Sequence, residues 1–328
     1  MKMPDASRTA QTILYLHATD VLAGGERSLV NLIRHLAPDR FRAQVVCDAT
    51  DEFVTAVAAC APVERLQCPG LRPPGPAALR TVRRLAQLCR QAGVAILHAN
   101  TPRTNLYAAL AGRMASVPVV WHCRNLLEPG MRDTDRWLAW LPDRIICNSD
   151  AIAARFAGSR WRERVVTVMN GVALTEYRPD LSGAAVRAAL GWAGRPIIAA
   201  ISRLDPEKGH EVLLAAMQRL AARCPDARLV IAGRAAVDPS GRHAALQRHI
   251  ESLGLGAAVR LVGFRRDIPQ LLAAADVCVL PAEAEACGRV LLEAMAMARP
   301  VVATASGGTP EIVQDGVTGI LVPPGDAG

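Results

Sequence analysis

The stretch at residues 276–326, DVCVLPAEAEACGRVLLEAMAMARPVVATASGGTPEIVQDGVTGILVPPGD, decides the fold. An apolar run stops at Pro281, and an acidic, glycine-containing turn follows. A helix is predicted from about Gly288, and a second apolar run, 300–304, ends in Ser306-Gly307-Gly308. The order is strand, loop, helix, strand, loop. Glu285 falls in the first loop and Glu293 in the second turn of the helix. In open α/β sheets, ligands bind at loops that leave the carboxyl ends of strands and open helices.

The same alternation extends through the chain. Apolar runs predict strands near 12–17, 43–47, 95–98, 118–122, 144–147 and 165–168, then near 196–201, 228–232, 259–262, 277–280, 300–303 and 320–322. The runs are apolar throughout rather than alternating, as expected of parallel strands covered by helices on both faces. Between them, Leu29, Leu32, Ile33 and Leu36 make one helical stripe, and Val212, Leu213, Met217 and Leu220 another. Two successive β-α series predict two doubly wound α/β domains facing across a cleft. The weakest strand signal lies between Gly171 and Gly194, so the domains are placed at 1–175 and 176–328.

Composition narrows the partners. A chain of 328 residues with 51% hydrophobic and 21% charged residues has material for two cores. Only 4% are aromatic, which leaves little for stacking the bases of single-stranded nucleic acid. The net charge is +8, and of 38 basic residues only Lys2 and Lys208 are lysine. No compact basic block exists, so nucleic acid is not an expected partner, and dispersed arginine suits a solvated surface or a small anion. Nine cysteines are scattered without a C-x-x-C pair, which fits small buried thiols in a reducing compartment. The amino terminus MKMPDASRTAQT has no apolar core of a signal sequence, and no apolar run approaches membrane-spanning length. A cytoplasmic protein is expected.

Three constellations have the residue types for chemistry. Gly24-Gly25-Glu26-Arg27 follows the first strand and opens an amphipathic helix, a tight turn whose free N–H groups suit an anion. Neither G-x-G-x-x-G nor G-x-x-x-x-G-K-[ST] occurs, which argues against a dinucleotide-binding oxidoreductase and a P-loop NTPase. Ser202-Arg203-Leu204-Asp205-Pro206-Glu207-Lys208-Gly209 follows the first strand of the second series. Arg203 and Lys208 there are either a solvated turn or a pair of cations for a pyrophosphate. One charge pair at about 4 Å is worth roughly 4 kcal/mol at an effective dielectric near 20, so two cations could do the work of a metal ion. The third is Glu285 with Glu293: each carboxylate can accept two hydrogen bonds from a sugar diol. The N–H groups around Cys287, Gly288 and Arg289 lie between them at the helix start.

In type and order these motifs resemble the family 4 retaining glycosyltransferases, over nearly the whole chain and most closely from Arg203 to Asp326. Asn170-Gly171-Val172 with Tyr177 and Pro179 is similar to that family's domain junction, and Gly263-Phe264 before Asp267-Ile268 is similar to its base-binding loop. The resemblance implies a GT-B fold, with an acceptor-side first domain and a second domain that binds a nucleotide-sugar donor. It implies that Arg203 and Lys208 hold the diphosphate, Glu293 the ribose hydroxyls, and Glu285 with the backbone near Gly288 the donor sugar. Gly25 would approach the diphosphate or sugar from the other domain. It further implies front-face transfer with retention, no cofactor and no metal. The acceptor would be a glycan or a lipid-linked glycan of cell-envelope or exopolysaccharide synthesis, and the donor a UDP- or GDP-sugar.

The chain departs from the pattern in places. The family commonly has a histidine near the end of the strand at 118–122. Arg124 aligns better with it and His122 sits two residues earlier, so both are candidates. Cys287 stands where phenylalanine is usual, and it reads as a small apolar filler. The sequence stops at Gly328, where the family normally continues into further helices. A non-catalytic nucleotide-binding scaffold and a sugar-nucleotide epimerase are therefore the alternative readings. Asp133-Thr134-Asp135 spells a metal-binding D-x-D but precedes RWLAWL, where helix capping explains it. The basic stretch 79–85 offers peripheral contact with an anionic membrane at the inner face of the plasma membrane, or a solvated helix.

Overall fold

The computed structural model describes residues 10–19, 24–69, 75–127, 130–235 and 241–328. Residues 1–9, on which the expected absence of a leader rests, lie outside the described residues. The chain forms two compact units, one ending at Gly171 and the other beginning at Val172. The expected border was 175/176. Val172 packs against the second unit's core and Tyr177 is a buried member of it, which draws this stretch to the second unit.

The first unit contains strands β1 (Gln11–Thr19), β2 (Phe41–Ala49), β3 (Val63–Arg65), β4 (Val94–Ala99), β5 (Val119–Cys123), β6 (Arg144–Cys147) and β7 (Val165–Thr167). Their order in the sheet is β3-β2-β1-β4-β5-β6-β7, and every neighbouring pair is parallel. The residues from Thr12 through Ala18 in β1 are all buried, as the unbroken apolar run requires. Of the predicted stripe, the helix Gly24–Arg34 buries Leu29 and Ile33 against Tyr15, Val45 and Phe53, whereas Leu32 is exposed and Leu36 lies past the helix end, half-buried.

The second unit contains β8 (Ile197–Ile201), β9 (Arg228–Ala232), β10 (Val259–Leu261), β11 (Val277–Leu280), β12 (Val301–Thr304) and β13 (Ile320–Val322). The order β10-β9-β8-β11-β12-β13 repeats the winding of the first sheet, again all parallel. In each sheet the chain reverses direction across one pair, β1/β4 and β8/β11. Loops leaving the carboxyl ends of such a pair diverge and open a crevice.

The structure bears out the predicted strand set, with one addition. β3 is a three-residue edge strand, Val-Glu-Arg, with only one apolar side chain, and sheet pairing with β2 defines it. The basic helix Pro76–Gln91 buries Ala78, Thr81, Val82, Leu85, Ala86 and Cys89, and leaves Arg80 and Arg83 to solvent. No described helix is long and apolar enough to cross a membrane. None of the nine cysteines forms a disulfide.

Candidate functional site

In the second unit the reversal point collects the predicted residues. β8 runs into Ser202 and Arg203, and a short 3-10 turn, Pro206–Lys208, follows. Gly209 closes this loop at φ +69°, and a Cβ there would sit 1.9 Å from the carbonyl oxygen of Pro281. Only glycine accepts both the dihedral and the contact. The loop after β8 is thereby pressed against the end of β11, and Glu283 N–H donates to the Glu207 carbonyl at 2.9 Å. Lys208 consequently reaches Glu285, Nζ to Oε2 at 3.0 Å, with both side chains mostly buried.

Glu285 also accepts from the backbone N–H of Cys287 through Oε1 at 3.4 Å, and its carbonyl accepts from Gly308 N–H at 2.9 Å. The Ser306-Gly307-Gly308 turn thus closes over the same loop, and Ser306 Oγ donates to the Ala282 carbonyl at 2.9 Å. Cys287 is buried, as a filler should be. Gly288 is the N-cap of the helix Arg289–Ala296. Glu293 lies on that helix, 5% exposed, and takes two contacts from Arg289 onto its Oε1.

Arg203 is placed differently. Its guanidinium turns to its own loop, with Asp205 at 2.9 Å and Glu207 at 3.0 Å, and its side chain is 43% exposed. A diphosphate arriving at Arg203 and Lys208 would exchange partners with carboxylates rather than fill a vacant positive site. Gly263 stands at φ +67° after β10, and Phe264 lies under the Arg234 guanidinium, 4.6 Å from ring centroid to carbon. Gly233 N–H donates to the Gly263 carbonyl at 2.8 Å, linking the loops after β9 and β10.

One member of this site was not singled out from sequence. His210, fully buried, uses Nε2 to donate to the Arg203 carbonyl at 2.9 Å and touches Ser202 Oγ at 3.3 Å. Burial lowers its pKa, so it is a neutral ring that pins the cationic loop. The signal in the sequence was its place directly after Gly209 at the start of a helix.

The first unit has its own polar cluster at the ends of β1, β4 and β5. Arg124 donates to Asn100 Oδ1 at 3.2 Å, Ser28 Oγ at 3.0 Å, Asn170 Oδ1 at 3.2 Å and His122 Nδ1 at 3.1 Å. Ser28 Oγ in turn donates to Asn170 Oδ1 at 2.7 Å. A Cβ on Gly25 would meet the Arg124 Cδ at 3.7 Å, so these two predicted residues are neighbours. His122 and Arg124 both enter the cluster, Arg124 at its centre and His122 as a buried acceptor. Because Arg124 donates to Nδ1, the proton of the neutral His122 ring sits on Nε2. Burial, Arg124 and His98 hold His122 well below the usual histidine range. Burial and Arg124 lower His98 to about 3. Asn100, Ser28 and the His98 stacked on His122 (centroids 5.5 Å apart) escaped the sequence reading, because scattered single polar residues have no spacing to find them by.

Asp133 and Asp135 are not left for a metal. Asp133 caps the helix Thr134–Trp137, accepting from Arg136 N–H at 3.0 Å. Both carboxylates face Arg155, at 2.7 Å and 3.4 Å, and Asp135 also accepts from Asn105 at 3.0 Å. Burial raises the Asp133 pKa, but the bonds from Arg155 and Arg136 outweigh it and leave the group below its ordinary value. Among the described residues no group of three or more His, Cys, Asp or Glu side chains is arranged to hold a metal ion.

Residues 22–176 match the family described as Glycosyltransferase Family 4, and residues 195–328 match the family described as Glycosyl transferases group 1. The structure of Anabaena Alr3699/HepE in complex with UDP and glucose is 30% identical with a TM-score of 0.83, over 96% of this chain and 86% of that one. The same Anabaena protein in complex with UDP-glucose has a TM-score of 0.84. D-inositol 3-phosphate glycosyltransferase of Mycobacterium sp. (strain KMS) is 36% identical over 195 residues, 57% of this chain and 42% of that protein. The match thus spans less than half of the length of such curated relatives.

Proposed function

The chain belongs to the family 4, group 1 glycosyltransferases, and from that premise we propose that it moves a sugar from a nucleotide-diphosphate sugar to a glycan or lipid-linked acceptor. The observation that carries the proposal is the grouping of Lys208, Glu285, Cys287 and Gly288 where β8 and β11 diverge, with Arg203 and the Glu293 helix on either side. UDP-glucose, the ligand of the Anabaena protein, is the first donor to test.

We assign Arg203 and Lys208 to the diphosphate, Glu293 to the ribose and Glu285 with the backbone at Gly288 and Arg289 to the donor sugar. Gly263 and Phe264 are assigned to the base. In the first unit, Gly25, His122 and Arg124 are assigned to the transferring sugar and its acceptor. The bond from the anomeric carbon to the terminal phosphate oxygen breaks as the acceptor oxygen bonds to that carbon from the same face, and the acceptor's proton passes to the departing phosphate. Catalysis is then positioning plus stabilisation of the leaving diphosphate by two cations, with retained configuration and neither metal nor cofactor. Nine free thiols suit the reducing cytoplasm, where nucleotide sugars feed cell-envelope or exopolysaccharide synthesis.

The test is turnover of UDP-glucose in EDTA against a panel of acceptors. The panel includes D-inositol 3-phosphate, taken from the mycobacterial relatives, and lipid-linked glycans. The product anomer is read by nuclear magnetic resonance. The expected product keeps the donor's configuration and forms only with acceptor present. Inverted product, or loss of turnover in EDTA, contradicts the mechanism. A new sugar nucleotide formed without acceptor contradicts transfer itself.

A further inference from the structure

We infer that Arg289 is a positioning residue: it holds the Glu293 carboxylate by one oxygen and presents the other to the ribose diol. This rests on the assignment of Glu293 to the ribose. Arg289 and Glu293 stand one helical turn apart, with side chains 14% and 7% exposed. Arg289 Nε donates to Glu293 Oε1 at 2.9 Å, and Nη2 donates to that same Oε1. Two contacts on one oxygen restrain the rotation of the carboxyl plane and leave the second oxygen, Oε2, outside the ion pair. A diol needs such a fixed acceptor, because two adjacent hydroxyls converge on one carboxylate only at a defined angle.

Helix stability does not explain the pair. Arg289 is the first residue of its helix, where the aligned peptide dipoles disfavour a cation, and the first turn contains no acidic residue. The order, cation before anion at a spacing of four, is the weaker of the two orientations. A mostly buried ion pair also returns little net stability after both charges lose water. An arrangement that is poor for the helix and places two donors on one oxygen of the carboxylate at the proposed ribose site is explained by what it does to that carboxylate.

The test pairs protein variants with nucleotides that lack one ribose hydroxyl. UDP, its 2′-deoxy form and its 3′-deoxy form are titrated calorimetrically into the wild-type chain, Glu293→Gln, Arg289→Met and Arg289→Lys. The wild type is expected to prefer UDP over at least one deoxy form by about tenfold or more, the size of a charge-assisted bond. Arg289→Met is expected to narrow that preference to within about threefold while binding of the deoxy form barely changes. Arg289→Lys has a charge but no fork, so its preference falls in between. Equal weakening of all three nucleotides by Arg289→Met would reveal a merely structural residue and overturn the inference. So would a full preference in Arg289→Met alongside a lost one in Glu293→Gln. A full preference in Glu293→Gln, or no binding of UDP by folded wild type, would instead remove the ribose assignment beneath it. If Arg289→Met does not fold, an undiminished preference in Arg289→Lys overturns the inference and a narrowed one supports it.

Discussion

His98 and His122 are stacked inside the first unit with Arg124 against them, and both are held neutral by burial and that cation. An unfolded histidine binds a proton near pH 6.5, whereas His98 in the fold does so only at about 3. The unfolded state therefore takes up more protons in between, and stability present above pH 6.5 is lost as pH falls toward 3. Each such histidine contributes a slope of up to about 1.4 kcal/mol per pH unit. Urea midpoints should decline between pH 6.5 and 5, above the range where the paired carboxylates titrate, and His98→Leu should make the decline shallower. A flat midpoint over that interval would contradict the neutral pair. Lys208 yields a second prediction. Without its ammonium Glu285 loses its partner and a diphosphate loses a charge-assisted bond, so Lys208→Ala should weaken UDP binding by about 10- to 100-fold in a titration. Lys208 and the two glutamates were legible in the sequence, the first as an exception among arginines and the others by their spacing. Arg124's partners were not, since Ser28, Asn100 and Asn170 come from three distant segments that only the sheet brings together.

At the scale of elements, two glycines with nearly the same φ separate strain from contact. Gly209 has φ +69° and a Cβ there would lie 1.9 Å from the Pro281 carbonyl oxygen, whereas Gly254 has φ +71° and open space around it. Gly254→Ala should cost about 1 kcal/mol, the strain of a left-handed alanine. Gly209→Ala must also push apart the loops after β8 and β11, and should cost more than about 3 kcal/mol and abolish nucleotide binding. Urea unfolding of the two variants checks this, and equal losses would contradict the loop contact. The central strands were readable because both faces of β1 and β9 are buried, so the apolar run and the strand coincide, whereas β7, β10 and β13 were found by their short apolar runs although each exposes a residue. β3 was not, because Val63 is the only apolar residue an edge strand of this length needs. The Asp133-Thr134-Asp135 motif was readable as a cap, but Arg155, twenty residues on, was invisible as the group that neutralises it.

For the molecule as a whole, composition left a narrow field: two aliphatic α/β units, few aromatics, no basic block and no nucleotide loop of the dehydrogenase or P-loop type. What composition does not carry is the state of the cations. The net charge of +8 suggests positive sites awaiting an anion, yet Arg203 and Lys208 are both already paired with carboxylates. On the proposed assignment of these cations to the diphosphate, donor binding would be an exchange of partners with Asp205, Glu207 and Glu285. The central claim, a nucleotide diphosphate held without metal at the ends of β8 and β11, is tested most directly by calorimetric titration. UDP, GDP and ADP are titrated into the chain with and without EDTA, beside Glu293→Ala. The account predicts saturable binding of one nucleotide, unchanged by EDTA and weakened about tenfold or more in the variant. Absence of binding by a folded sample, or binding that EDTA abolishes and Glu293→Ala leaves intact, would contradict it.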